Sequence, residues 1–250
     1  MTTETVFIIG ATGNIGTSAV QGALNAGYNV LATVRNASSA AKLFKNLSQT
    51  DDSDVNKQRI TTVEVDCVSE NGVKDVVKKV EKGELPAFQH VYACVGGPYS
   101  PTPLLQVDTK TLHEHMTINF ESNFFAYRAT IPYLLTQSHA TSTWSICTGS
   151  QGSLGIFAAP AMSQGALFSL CVSAARELQD TNVRFNEIYL ALRVETDRSA
   201  VEHGVVRASE FANVYVEVLR AGERVRGKRV LVETREDIKG LRWVDKVGDA

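Results

Sequence analysis

Short unbroken apolar runs alternate along the chain with segments whose apolar residues recur every three or four positions. Residues 6–9 (VFII) form a run of the kind a strand buried on both faces requires. Residues 15–26 carry Ile15, Ala19, Val20, Ala23 and Leu24 at helical spacing, and Gly27 ends that helix. The alternation then repeats. Strands are expected at 28–34, 60–65, 88–95, 144–147, 183–190 and 228–232. Helices are expected at 38–47, 73–80, 108–136, 161–179 and 208–220. The polar stretch 48–57 reads as a loop, and residues 197–207 are short and mostly polar. The charged tail after Thr234 suggests no element. Seven strands alternating with helices predict a doubly wound α/β fold. It has a parallel sheet of about seven strands in three layers, and residues 1–250 form one domain.

Composition narrows the function classes without naming one. Among 250 residues, 25 basic and 27 acidic side chains give a net charge of −2, so bulk charge argues against a nucleic-acid or anionic-membrane binder. No apolar stretch reaches the length of a membrane span, and the first residues do not resemble a signal peptide. Cys67, Cys94, Cys147 and Cys171 are widely spaced. They read as buried thiols in a reducing, cytoplasmic setting and not as a disulfide framework or a metal site. His113 and His115, two apart on a helix, fall on different faces and are expected to be exposed, not a metal pair.

One motif carries chemistry. Gly10-Ala-Thr12-Gly13-Asn14-Ile15-Gly16 joins the first strand to the first helix. The first glycine permits a tight turn and the second lets backbone approach a pyrophosphate. The third allows close packing, and the helix N-terminus attracts the anion. The second strand ends Thr33-Val34-Arg35-Asn36, with no acidic residue to hold a ribose. Arg35 suits a 2′-phosphate instead, which favours NADP(H).

With the later segments, these features resemble the short-chain dehydrogenase/reductase family over roughly residues 5–234, and the resemblance implies a Rossmann-type fold. By the resemblance, Asp66 contacts adenine, the neighbouring Cys67 is cofactor-binding, and Cys94-Val-Gly96-Gly97 replaces the family's Asn-Asn-Ala-Gly. Asn119 falls on the helix asparagine beside the catalytic lysine, and Ser150 on the serine that hydrogen-bonds a substrate carbonyl. The family's Tyr-x-x-x-Lys pair is missing. Residues 159–167 (APAMSQGAL) resemble its surroundings, with Pro160 at the tyrosine position and Gln164 at the lysine, and residues 134–188 contain neither tyrosine nor lysine. Gln164 retains a donor for a ribose. The Pro-Gly expected after the sixth strand is also absent, although Thr196 keeps the place of a cofactor-contacting threonine.

Ser150, Asn119 and Tyr99 are therefore the candidate catalytic residues, Tyr99 lying in the loop after the fourth strand. Arg193 and Glu195 either contact substrate or form a surface pair. Phe157, Ala158, Ala159, Pro160 and Met162 predict an apolar pocket wall. The leading expectation is an NADP(H)-binding enzyme that cyclises or isomerises an apolar small molecule, by analogy from the fold. One alternative is an NADPH-dependent reductase of a carbonyl, imine or activated alkene with a substitute proton donor. The other is a non-enzymatic NADP(H)-binding regulator. The family resemblance also implies a homodimer or homotetramer.

Overall fold

The computed structural model describes residues 3–47, 57–97, 99–137 and 139–247. Most of the predicted polar loop, residues 48–56, lies outside them. The chain runs β1 (Thr5–Ile9), α1 (Asn14–Asn25), β2 (Asn29–Val34), α2 (Ala37–Leu47), β3 (Ile60–Glu64), α3 (Gly72–Glu81) and β4 (His90–Ala93). It continues through α4 (Thr109–His115), α5 (Ser122–Thr136), β5 (Ser142–Gly149), α6 (Gln151–Leu154), α7 (Ala158–Glu177) and β6 (Val183–Leu190). The last part is β7 (Val194–Glu195), α8 (Asp197–His203), β8 (Val206–Arg207), α9 (Ala208–Arg220), β9 (Lys228–Val232), α10 (Glu236–Lys239) and β10 (Arg242–Asp245).

The main sheet has eight strands in the order β10-β9-β6-β5-β4-β1-β2-β3, all parallel except β10. Every residue of β1 and of β6 is buried between the two helical layers, the apolar run of β1 as such a strand requires and β6 with Arg184, Asn186 and Glu187 included. One face packs α1, α2 and α9 around Val20, Leu43, Phe211 and Val214. The other packs α3, α5 and α7 around Val76, Ala126, Trp144 and Leu167. The strand order reverses between β1 and β4, and a crevice opens at their carboxyl ends.

Four expectations need correction. The helix expected at 108–136 is broken: α4 ends at His115, a π-turn covers Met116–Glu121, and α5 resumes at Ser122. The wider turn lets two asparagines serve the exit of β4. Asn123 donates to the Val95 carbonyl at 3.0 Å, and Asn119 accepts from the Gly97 amide at 2.6 Å. His115, at the entry to this turn, is buried, whereas His113 is exposed.

The charged tail, second, forms α10 and the antiparallel edge strand β10. Arg242 donates to both Asp237 and Glu233, fastening the tail. Its charges pair with each other, which is why apolar periodicity did not reveal the strand. The 197–207 segment, third, contains α8 and β8, and β8 pairs in parallel with β7 just before the segment. Finally, α7 begins at residue 158 and, at 20 residues, is by length and composition apolar enough to cross a membrane. Its buried Leu167, Cys171, Ala174 and Ala175 pack on the sheet instead.

Close helix packing gives a stability test. A Cβ on Gly22 of α1 would lie 2.6 Å from the Ala212 carbonyl oxygen and 2.7 Å from the Tyr215 Cβ of α9. Overpacking costs about 1–3 kcal/mol, against roughly 1 kcal/mol gained in helix propensity. Gly22→Ala is therefore expected to lower the denaturation midpoint; an increase would show that α1 and α9 part easily.

Candidate functional site

The turn after β1 has the geometry its glycines imply. Gly10 has φ +85°, and a Cβ there would meet the Cys94 and Val95 backbone at 3.0 Å. A Cβ on Gly16 would lie 2.1 Å from the Gly10 carbonyl, so only glycine lets α1 close on the turn. On Gly13 the same atom would meet nothing nearer than 3.8 Å, which leaves a cradle facing the crevice. Gly13 precedes α1 without a side-chain cap, so the helix presents unsatisfied amides there. The Gly10 amide donates to Thr33 Oγ1 at 2.8 Å, tying the turn to β2. Sequence reading missed this role for Thr33, which looked like one more strand residue. A diphosphate fits this arrangement.

The expected adenosine end is more open. Arg35 is exposed and has no hydrogen bond or ion pair among the described residues, so its guanidinium can meet a phosphate. Asn36 has another task. Its Oδ1 accepts from the Ser39 amide at 2.9 Å and caps α2. Asp66 is exposed and accepts from the Val68 amide, and Cys67 Sγ lies 3.5 Å from Thr33 Oγ1.

A cavity of about 560 Å³ runs from Gly13, Asn14 and Ile15 past Gly96 and Asn119 to Tyr99, Ser150, Pro160 and Gln164, and on to residues 190–195. Thr12 and Thr196 are not part of its lining, and Thr196 precedes the first turn of α8. Asn119 is buried with both ends of its amide engaged, Oδ1 by Gly97 and Nδ2 by Ser163 Oγ at 2.9 Å. It therefore fixes the loop after β4 against α7.

Gln164 Oε1 accepts from the Gly149 amide at 2.8 Å. Where the resemblance expects an ammonium, a neutral amide braces the end of β5. A Cβ built on Gly149 would lie 3.1 Å from the Tyr99 hydroxyl and 3.8 Å from Gln164 Nε2. The Tyr99 phenol thus reaches the cavity beside Gln164. Its ring lies 5.8 Å from that of Phe157. Desolvation, with a smaller contribution from Cys147, raises the phenol above its usual range, so it stays protonated at neutral pH. Ser150 lines the same cavity, and its main chain begins α6.

The cavity wall also includes Cys94 and Cys147, whose role the sequence did not reveal. Both are partly exposed, as is Cys67; only Cys171 is buried as expected. The exposure is of the residues and not of their thiols: desolvation of the sulfur pushes the Cys94 thiol up to about 12 and the Cys147 thiol higher still, so neither supplies a thiolate. Across the mouth, buried Glu195 accepts from Arg193 Nε at 2.7 Å and lies 2.7 Å from His203 Nδ1. The two alternatives for Arg193 and Glu195 thus merge: they pair with each other and also line the cavity.

A model of the family described as short chain dehydrogenase matches residues 4–202. A protein of Pestalotiopsis fici named short-chain dehydrogenase/reductase iacG is 53% identical over 249 residues, spanning 98% of this chain and 97% of its own. A glucose/ribitol dehydrogenase from Brucella melitensis superposes with a TM-score of 0.73 at 19% identity, covering 92% of this chain and 94% of its own. ElxO, solved with NADP bound, superposes with a TM-score of 0.71 at 15% identity, covering 84% and 89%.

Proposed function

The chain belongs to the short-chain dehydrogenase family, and from that premise we propose that it is an NADP(H)-dependent reductase of an apolar carbonyl, imine or activated alkene in which Tyr99 replaces the missing tyrosine. The observation that carries this reading is the Tyr99 hydroxyl in the cavity beside Gly149 and Gln164. The open cradle at Gly13, the uncapped start of α1 and the exposed Arg35 support NADP(H) binding there.

NADP(H), when bound, supplies the hydride. Tyr99 gives its proton to the substrate atom that gains negative charge, and the half-exposed phenol recovers a proton from water. Ser150 donates to the same atom and polarises it beforehand. Phe157, Pro160, Leu192 and Val194 line an apolar wall, and exposed Leu154, Ile156 and Met162 flank it in the chain. An apolar substrate suits that wall. Among the described residues, none that lines the cavity with Tyr99 is a lysine that could stabilise a phenolate, so activated acceptors that need little acid assistance suit the site best. The partly exposed Phe124, Phe125, Ala166 and Leu170 on α5 and α7 support a homodimer or homotetramer as part of the same reading.

A second reading keeps the fold but not the redox step. The amide of Gln164 stands where a cation would sustain the usual proton relay. A polarised carbonyl held by Tyr99 and Ser150 then suits cyclisation or isomerisation. Cofactor titration and turnover separate the readings. NADPH is expected to bind more tightly than NADH, and Arg35→Ala to weaken NADPH by about tenfold or more with NADH unaffected, as loss of a charged hydrogen bond implies. Substrate-dependent loss of NADPH absorbance supports reduction. Product formation without it supports the second reading, and binding without any turnover supports a regulator. Failure of both cofactors to bind overturns the assignment of Gly10, Gly13, Gly16 and Arg35.

A further inference from the structure

Three ligand-bearing side chains meet at the edge of the sheet opposite the cavity. Glu4 immediately precedes β1, His90 begins β4, and His139 lies just before β5. These strands are neighbours, so the sheet brings together residues far apart in sequence. One Glu4 oxygen lies 2.9 Å from His90 Nε2 and the other lies 2.9 Å from His139 Nε2. One ligand atom from each residue falls within 4.8 Å of the others. We propose that Glu4, His90 and His139 form a binding site for Zn²⁺ or a similar borderline divalent cation.

The donor set is two imidazole nitrogens and one carboxylate, which suits such a cation and leaves a fourth tetrahedral position for water. The scaffold is set in advance. The Glu4 carbonyl accepts from the Asn29 amide at 2.8 Å. The His139 carbonyl accepts from Asn182 Nδ2 at 3.1 Å. Ser142 Oγ lies 3.4 Å from His139 Nδ1, where it can orient the ring after Nε2 takes the metal. His90 is almost fully buried, whereas Glu4 and His139 are partly open, which provides an entry path.

Full-length protein free of any histidine tag is stripped with a chelator, loaded with Zn²⁺ or Co²⁺, and passed over a desalting column. The expected result is about one metal ion retained per chain, a raised Tm and visible Co²⁺ bands of low-symmetry coordination. Glu4→Gln and His139→Ala, at partly exposed positions, are expected to weaken binding by more than about 100-fold. Even loss of an outer-shell partner costs 10–100-fold. NADPH affinity should not change with either variant, since the two sites lie at opposite ends of the strands. No retained metal, or equal retention by both variants, overturns the proposal; the latter would place the metal elsewhere, for instance on the thiols.

Discussion

Tyr99→Phe is expected to lower the turnover number for NADPH-dependent reduction by about 10²–10⁴-fold, the usual contribution of a general acid. Cofactor affinity should stay as it is in the unaltered protein, because the Tyr99 hydroxyl makes no hydrogen bond to the glycine turn or to Arg35. Phenylalanine keeps the ring contact with Phe157, so the wall is preserved and only the proton is lost. Gln164 offers no substitute, since an amide does not release a proton near neutral pH. The Cys94 and Cys147 thiols do not either, because burial holds both far above neutrality. Ser150 remains and accounts for residual activity. The pH profile gives a second readout. The raised Tyr99 ionisation keeps the acid form present through neutrality, so activity should fall only in the alkaline range. A Tyr99→Phe variant within a factor of about three of the original rate would remove Tyr99 from the reaction, since that is far below the effect of losing a general acid.

Glu187→Ala should be the most damaging substitution away from the cavity. Glu187 lies in the middle of β6 and is fully buried. Its oxygens accept from Arg229 Nε at 2.9 Å, Lys246 Nζ at 2.7 Å and Thr148 Oγ1 at 2.7 Å. One carboxylate thus ties β5, β9 and the C-terminal tail to β6. Alanine leaves Lys246, itself almost fully buried, and the largely buried Arg229 without a counter-charge. Removing one partner of a buried ion pair costs about 3–5 kcal/mol, a large part of the 5–15 kcal/mol that holds a typical domain folded. For a chain of this size that corresponds to a fall in Tm on the order of 10 °C. Glu187→Gln keeps an acceptor and should lose less. Denaturation curves that shift by less than about 1 kcal/mol would mean that the tail is not held through this group.

The sheet and the glycine turn after β1 were legible because each is encoded locally. Unbroken apolar runs such as VFII specify strands buried on both faces, and Gly10, Gly13 and Gly16 each answer a backbone requirement. What stayed hidden depends on pairing across the chain. β10 is held by Arg242 with Asp237 and Glu233, a charge pattern that along the sequence looks like a solvated tail. The π-turn arises because Asn119 and Asn123 reach the exit of β4, a contact that helical spacing cannot show. The capping role of Asn36 was hidden for a related reason: its place after β2 suits a cofactor contact and an N-cap equally, and only the structure shows its Oδ1 accepting from the Ser39 amide.

The same limit applied to the chemistry. Absence of tyrosine and lysine from residues 134–188 was readable directly. The approach of Tyr99 from the loop after β4 toward Gly149 was not, because it joins residues 50 positions apart. Glu4, His90 and His139 were likewise separate residues of unremarkable spacing until β1, β4 and β5 aligned them.

The central claim is that the cavity performs a reduction in which hydrogen reaches the substrate from the cofactor and from Tyr99. It is tested most directly with NADPH carrying deuterium at the transferable position of the nicotinamide, incubated with an apolar activated alkene or carbonyl. The account predicts product carrying one deuterium on carbon, with an equal amount of NADP⁺ formed, and almost none when Tyr99→Phe replaces the original protein. Conversion of substrate to an unlabelled isomer, with NADPH intact, would contradict it.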